Sequence, residues 1–306
     1  MTKYYPEGVL FETRQNKKHI ESPAMLRESF FENRILEARA TLCDRDHNLH
    51  VDLGSVHGII PREECAIGIA DGSVRDIAII SRVNKPVAFK IIDFMDDAGI
   101  RTAILSRRLV QEDFMANYIN NLKAGDVIDA RVTHNESFGS FCDIGCGISA
   151  LLPIDSISVS RIPHPDVRFS VNKMIKAVVK SIDEAGRVTL SHKELLGTWE
   201  ENAQNFKAGQ TVGGIVRSIE KYGVFIELAP NLAGLAEYTA DVQEGECASV
   251  YIKSINPEKM KIKLAIVDSF HADYPPQNTK YYFKGEHIDR WQYSPDISEK
   301  LIETVF

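Results

Sequence analysis

Two pairs of aromatic side chains, each with a glycine between its members, are the residues best suited to binding chemistry. They lie in the motifs Phe138-Gly139-Ser140-Phe141 and Tyr222-Gly223-Val224-Phe225. Positions three apart in a strand point to opposite faces, but a turn or bulge at the glycine could bring both rings to one surface. Two rings on an open surface form a platform on which bases of a single-stranded nucleic acid can stack, at roughly 1–3 kcal/mol per base.

The alternative is that one ring of each pair fills the core of its own module. A single aromatic strand would favour that alternative. Here the same pattern occupies the same position in two modules, and basic strands follow it in both. This repetition favours a binding surface.

The charge of the chain is uneven. The net charge is −7, which by itself argues against a nucleic-acid partner. However, residues 161–194 carry seven Lys and Arg against four acids, and residues 250–264 carry four lysines against one glutamate. A phosphate backbone responds to the potential within a Debye length of about 8 Å. The sequence therefore predicts modest affinity for nucleic acid.

A long connection in the second module, Asp155 to Asn172, also contains cations. Pro163 and Pro165 keep it extended. It could lay Arg161, His164 and Arg168 beside the binding face. A solvated loop that merely closes the module is an equal alternative.

The sequence argues against an enzyme. It contains neither Gly-x-x-x-x-Gly-Lys-Ser/Thr nor Gly-x-Gly-x-x-Gly, and its nine histidines are dispersed without metal-ligand spacing. Its five cysteines are scattered, which is typical of reduced thiols in a reducing compartment. We therefore expect no catalytic residues, no cofactor and no metal. We also expect a cytoplasmic location without a membrane partner, since no apolar run approaches about 20 residues.

The elements that must position these residues form a repeat. Corresponding strands begin at Gly58, Ala150 and Gly234, which are 92 and 84 residues apart. Short strands with turn signals between them predict three diverged copies of one small all-β barrel, joined by short helices.

The predicted division of the chain has seven parts. They are a lead-in and helix (1–34), a degenerate barrel (35–106), a linker helix (107–124), a second barrel (125–194), a second linker helix (195–208), a third barrel (209–268) and an aromatic tail (269–306). Ser191 and Glu194 have the spacing of a capping box, which predicts the start of the second linker helix. The tail is expected to fold back on the third barrel.

The second module resembles the S1 RNA-binding domain, named after bacterial ribosomal protein S1. The resemblance rests on the aromatic motif, the Gly-Leu-type strand that follows it, and the run from Ile182 to Lys193. It is good for the third module and weaker for the first. It implies tandem five-stranded OB-fold barrels of the S1 type that bind single-stranded RNA.

The resemblance also implies the residues that face RNA. The implied site comprises Phe138, Phe141, Lys176, Lys180, Asp183, Arg187, Tyr222, Phe225, Lys253 and Lys261. The histidine that the family carries after its Gly-Leu strand is missing, because Pro153 and Glu237 occupy that position. In the first module the aromatic positions hold His47 and His50, so this copy is predicted to be a docking surface rather than a stacking platform.

These observations predict a single-stranded RNA-binding protein of translation. The implied partners are mRNA, which it would recruit, and the small ribosomal subunit. Two alternatives stay open. One is a protein–protein adaptor, which the acidic balance and Glu237 favour. The other is a non-catalytic regulatory subunit of an RNA-processing enzyme.

Overall fold

A computed structural model describes residues 4–54, 56–97, 100–272 and 279–306. Parts of the predicted lead-in and tail, residues 1–3 and 273–278, lie outside the described residues. The chain divides into two compact units. The N-terminal unit comprises Met1–Leu122 with Asp143–Ser149, and the C-terminal unit comprises Lys123–Cys142 with Ala150–Phe306.

The N-terminal unit opens with two helices, α1 (Arg14–Glu21) and α2 (Pro23–Phe31). The Ser22 side chain accepts a hydrogen bond from the Met25 backbone N–H, and Pro23 occupies the first helical turn. A buried ion pair fixes the chain before these helices, since Arg107 Nε lies 2.6 Å from Glu7 Oε1 and Arg82 lies 3.4 Å from Glu7 Oε2.

Barrel 1 is closed, in the order β1-β2-β3-β5-β4. Its strands are β1 (Leu36–Cys43), β2 (Leu49–Leu53), β3 (Val56–Ile60), β4 (Pro86–Asp97) and β5 (Ile100–Ser106), with a short α3 (Ile77–Ile80) before β4. Leu49, Val51 and Leu53 alternate inward along β2 and are fully or almost fully buried. This period of two makes the strand amphipathic and fills the barrel.

Barrels 2 and 3 repeat this strand order. Barrel 2 consists of β6 (Val127–Glu136), β7 (Gly139–Asp143), β8 (Ser149–Pro153), β9 (Met174–Ile182) and β10 (Val188–Ser191). Barrel 3 consists of β11 (Thr211–Glu220), β12 (Gly223–Ala229), β13 (Leu232–Ala236), β14 (Cys247–Asn256) and β15 (Lys261–Phe270). In each barrel the third strand pairs in parallel with the fifth. The predicted all-β fold of tandem five-stranded barrels is confirmed.

The helices between barrels are shorter than the sequence predicts. α4 (Arg108–Asn117) precedes barrel 2, and α5 (Trp199–Ala203) precedes barrel 3. The predicted capping box at Ser191 is wrong in position. Ser191 does bond Glu194 at 2.5 Å, but Gly197 then adopts φ 86° and ends the turn. The capping box that starts α5 is formed by Thr198 and Glu201.

The tail contacts both barrels of the C-terminal unit. β16 (Arg290–Gln292) pairs with β17 (Glu303–Val305), and Trp291 and Tyr293 are buried in a hydrophobic cluster that also contains the core of barrel 3. Toward barrel 2, His287 Nδ1 lies 2.6 Å from Asp126 Oδ1, and the two residues form a β-bridge. The tail therefore joins the two barrels instead of covering the third alone.

Candidate nucleic-acid interface

The aromatic pairs have the same geometry in barrels 2 and 3. Phe138 and Phe141 lie with ring centroids 6.0 Å apart at 88°, and Tyr222 and Phe225 lie 6.1 Å apart at 89°. The first ring of each pair stands in the turn before the second strand and is 53% or 69% exposed, while the second ring is half-buried on the strand. Each pair is one edge-to-face cluster at the surface.

Close packing between strands explains the glycine inside each motif. A Cβ atom at Gly139 would lie 2.4 Å from the Leu152 carbonyl oxygen, and one at Gly223 would lie 2.4 Å from the Ala236 carbonyl oxygen. Any other residue would push the second strand away from the third. The glycine thus sets the turn that carries the exposed ring.

An outward-facing row crosses barrel 3 at the second ring of the pair. The register pairs Phe225 with Leu235, Leu235 with Lys263, and Lys263 with Ser254. The neighbours Val224, Ile226 and Leu264 are buried, so the row residues face outward by alternation. This row brings an aromatic ring, an aliphatic side chain and an ammonium group to one face.

Lys263 is a functional candidate that sequence reasoning missed. The signal was present in the alternation Lys261-Ile262-Lys263-Leu264, which turns both lysines outward. What the sequence lacked was the parallel pairing of β13 with β15, which sets Lys263 beside Leu235. In barrel 2 the corresponding position is Thr189, which pairs with Leu151 and with Ser181.

The predicted cations of barrel 2 do not form one cluster. Lys180 is exposed next to Ser181 of the row, and its Nζ lies 3.2 Å from Ser156 Oγ. Lys176 lies four residues earlier, roughly 13 Å along the strand. Its Nζ is 3.2 Å from Asp129 Oδ1, and its backbone N–H donates to Tyr281 Oη. Lys176 therefore lies with the tail, away from the row.

Asp183 and Arg187 are brought together at the turn between β9 and β10. Arg187 Nε donates to Asp183 Oδ2 at 2.7 Å, and the Arg187 backbone N–H donates to Oδ1 at 2.8 Å. These hydrogen bonds lower the pKa of Asp183, the backbone bond first and the side-chain bond second. The pair closes the turn and leaves most of the guanidinium exposed to a ligand.

The predicted cations of barrel 3, Lys253 and Lys261, occupy the positions of Lys180 and Arg187 in barrel 2. Lys253 Nζ lies 2.8 Å from Glu237 Oε1, so its charge is paired at the surface. Lys261 is exposed at the start of β15 and pairs in register with Asn256. The turn thus has Asn256 and Lys261 where barrel 2 has Asp183 and Arg187.

Barrel 1 carries different chemistry in the equivalent row. His50 pairs in register with Ile59, and Ile59 with Ile104. His50 Nδ1 is 2.9 Å from His57 Nε2, and His50 Nε2 is 3.1 Å from Asp44 Oδ2. Burial, and then the neighbouring His50, lower the pKa of His57 and favour its neutral form. The other predicted position, His47, lies in a turn at φ 63°.

The connection Asp155 to Asn172 does not expose all its cations, because Arg168 is largely buried. Arg168 Nη2 lies 2.5 Å from Glu227 Oε2 on β12, and Arg217 Nε lies 2.9 Å from the same oxygen. All three side chains are largely buried. Arg168 therefore links barrel 2 to barrel 3, a role that the sequence did not indicate because its partner is 59 residues away.

A comparison with known protein families finds a match to barrel 2. Residues 121–193 match the S1 RNA binding domain family. Barrel 2 is therefore similar in sequence to an S1 RNA-binding domain. The S1 match covers the aromatic pair Phe138 and Phe141, the turn from Asp183 to Arg187, and the strands that carry them.

Curated relatives extend the similarity over most of the chain. The small ribosomal subunit protein bS1 of Staphylococcus aureus (strain COL) is 27% identical over 96% of this chain and 78% of that protein. The bS1 homolog of Bacillus cereus (strain ATCC 10987) is 28% identical over 83% and 68%, and bS1 of Leuconostoc lactis is 29% identical over 78% and 57%. These similarities, with the S1 domain, indicate a non-catalytic RNA-binding protein.

Among solved structures, a multidomain protein with nucleic acid binding domains from Streptococcus pneumoniae TIGR4 is 13% identical, over 77% of this chain and 74% of that chain. Its TM-score is 0.24, which is too low to support a conclusion.

Across the described ranges, no helix combines the length and apolarity that a membrane crossing requires. The same ranges contain no group of three His, Cys, Asp or Glu side chains able to hold a metal ion.

Proposed function

We propose that this chain binds single-stranded RNA on barrels 2 and 3 by stacking bases on Phe138, Phe141, Tyr222 and Phe225. The observation that carries the proposal is the twofold occurrence of one geometry. In both barrels an exposed ring meets a half-buried ring edge-to-face, beside an outward row and a turn with a cation. A core-filling role would not need the first ring of each pair to be more than half exposed.

The phosphate contacts follow from the cations around each platform. Lys180 and Arg187 stand on barrel 2, and Lys261 and Lys263 stand on barrel 3, where the charge of Lys253 is paired with Glu237. Phosphate contacts of this kind bind without sequence preference and depend on salt. Lys176 stands on the tail side of barrel 2, where only a longer path of the RNA would reach it.

The similarity to bS1 proteins supports a role in translation. In this proposal the chain acts in the cytoplasm, where it holds unstructured mRNA and recruits it to the small ribosomal subunit. Two modest sites on one chain gain affinity because the second binding step is intramolecular. The compact packing of barrels 2 and 3 in one unit favours this arrangement.

The test is fluorescence anisotropy of a labelled, unstructured RNA of about 20 nucleotides, titrated with the whole chain at several salt concentrations. We expect log affinity to fall with log salt at a slope of roughly −0.7 per phosphate contact. A duplex of the same sequence should bind much more weakly, because paired bases cannot stack on the rings. Lack of binding at tens of micromolar protein would contradict the proposal.

Barrel 1 has a second candidate function, docking on the small ribosomal subunit. Its outward row holds three aliphatic side chains, Leu42, Ile59 and Ile104, together with His50, and ends in Asp93; Leu42 is 55% exposed. Such a row suits a protein surface better than a phosphate backbone. Leu42→Asp should weaken co-sedimentation with the small subunit while RNA binding stays unchanged, and equal co-sedimentation would contradict docking at this face.

A further inference from the structure

Glu237 and Lys253 form a polar pair at the edge of the aromatic platform of barrel 3. Glu237 directly follows β13, whose last residue Ala236 pairs with Val224 and whose carbonyl packs against Gly223. Lys253 Nζ lies 2.8 Å from Glu237 Oε1, and the two side chains are 43% and 88% exposed. The pair therefore presents an anion and a cation, side by side, next to Tyr222 and Phe225.

Barrel 2 lacks this pair at the matching position. Pro153 stands where barrel 3 has Glu237, at the same 84-residue step that separates the two aromatic motifs. Lys180 stands where barrel 3 has Lys253, and it bonds the neutral Ser156 hydroxyl at 3.2 Å. At this edge of the aromatic pair, barrels 2 and 3 thus differ in one carboxylate.

The chemistry of the pair matches one base better than the others. An ionised carboxylate only accepts hydrogen bonds, and an ammonium only donates them. Guanine presents two adjacent N–H donors, N1–H and N2–H, next to the acceptor O6. Uracil, adenine and cytosine each place an acceptor where guanine has one of those donors, so a second carboxylate bond is lost.

We propose that Glu237 and Lys253 read the Watson–Crick edge of a guanine stacked on Tyr222 and Phe225, so that barrel 3 prefers guanine and barrel 2 does not. This inference rests on the proposed function and adds a base preference to it. Glu237 accepts from guanine N1–H and N2–H, while Lys253 donates to O6. The hydrogen bond from Lys253 lowers the pKa of Glu237, so the carboxylate is ionised at neutral pH.

Charge balance removes the main objection to a carboxylate at an RNA site. Glu237 alone would repel phosphate. Because Lys253 neutralises it at 2.8 Å, the pair has no net charge and the carboxylate costs little in backbone affinity. Lys261 and Lys263 on β15 supply the positive charge instead.

The experiment uses the full chain with Phe138→Ala and Phe141→Ala, which leaves barrel 3 as the stacking site. Anisotropy is measured with a 12-nucleotide oligouridine and with the same RNA carrying one central guanosine or inosine. A bidentate base contact gives roughly tenfold tighter binding of the guanosine RNA. Inosine lacks the N2 amino group and should fall between guanosine and uridine.

Glu237→Gln should abolish most of the guanosine preference, while Glu299→Gln, an exposed glutamate of the tail, should retain it. Equal binding of the guanosine and uridine RNAs by the protein with Glu237, or a preference that survives Glu237→Gln, would overturn the inference. Inosine binding as tightly as guanosine would also overturn it. If no RNA binds at all, the proposed function itself fails, a result clearly distinct from equal binding.

Discussion

Barrels 1 and 3 share a strand order and a register but not a surface. In barrel 3 the outward row holds Ser218, Phe225, Leu235, Lys263 and Ser254. In barrel 1 the same strands hold Leu42, His50, Ile59, Ile104 and Asp93. In both barrels the inward residues are buried and fill the core. The two rows therefore differ in charge as well as in shape, because one carries Lys263 and the other carries Asp93.

The largest effect on stability is expected at the buried carboxylate of Glu227 in barrel 3, which is paired with two arginines. Glu227→Ala leaves Arg168 and Arg217 buried without their anion, which costs about 3–5 kcal/mol. Urea denaturation should show the C-terminal unit unfolding earlier while the transition of the N-terminal unit stays in place. Glu299→Ala, at an exposed position, is the control. Equal shifts from both variants would show that the buried carboxylate does not support barrel 3.

The second-largest effect is expected in the pH dependence of stability, which should differ between the two units. Burial lowers the pKa of His192 from 6.5 to about 4, so the unfolded chain takes up the proton first as pH falls. The C-terminal unit should lose up to about 3 kcal/mol of unfolding free energy between pH 6.5 and 4.

The N-terminal unit should respond in the opposite direction, because burial raises the pKa of Glu37 to about 8. As pH rises, the unfolded chain therefore loses this proton before the folded N-terminal unit does. The stability that protonated Glu37 gives to the N-terminal unit falls as pH rises from about 4.5 through 8.

The control for this titration is His192→Asn, whose amide can still donate to the Ile157 carbonyl as the ring nitrogen does at 3.0 Å. Thermal denaturation of this variant should lose much of the acid sensitivity between pH 6.5 and 4. An unchanged acid dependence would assign it to other groups.

The aromatic platforms should show the third effect. Replacing Phe138, Phe141, Tyr222 and Phe225 with Ala should weaken RNA binding by about a hundredfold or more, at roughly 1–3 kcal/mol per lost base contact. His47→Ala with His50→Ala in barrel 1 should leave RNA affinity unchanged. Anisotropy measures both variants, and circular dichroism confirms that each is folded. A comparable loss from the histidine variant would remove the distinction between the barrels.

The smallest effect concerns the position that barrels 2 and 3 fill differently. Lys263→Ala should weaken binding severalfold and make the salt slope shallower by about 0.7. Thr189→Lys introduces the same charge in barrel 2 and should make the slope steeper by a similar amount. If neither variant changes the slope, the outward row does not contact phosphate.

The sequence predicted the strand pattern and the two pairs of neighbouring rings because both depend on short-range signals. Alternation marks the strands, and Phe138 and Phe141 are visible as a motif around a glycine. Lys263 was missed because its place beside Leu235 depends on a parallel pairing that no local pattern encodes. The sequence left Arg168 either beside the binding face or in a solvated loop, because its partner Glu227 is remote in sequence. The seven-part division and the RNA contacts of the ten site residues stay predictions.

The bridge between Asp126 and His287 also affects the timing of folding. The two residues are 161 positions apart, and they join the residue just before β6 to the tail. At about 5–20 residues per second, synthesis needs roughly ten to thirty seconds to cover that interval. During that time the nascent barrel 2 lacks its last partner. Completion of the C-terminal unit thus depends on a segment that is synthesised well after barrel 2, so barrel 2 must remain soluble without that contact in the meantime.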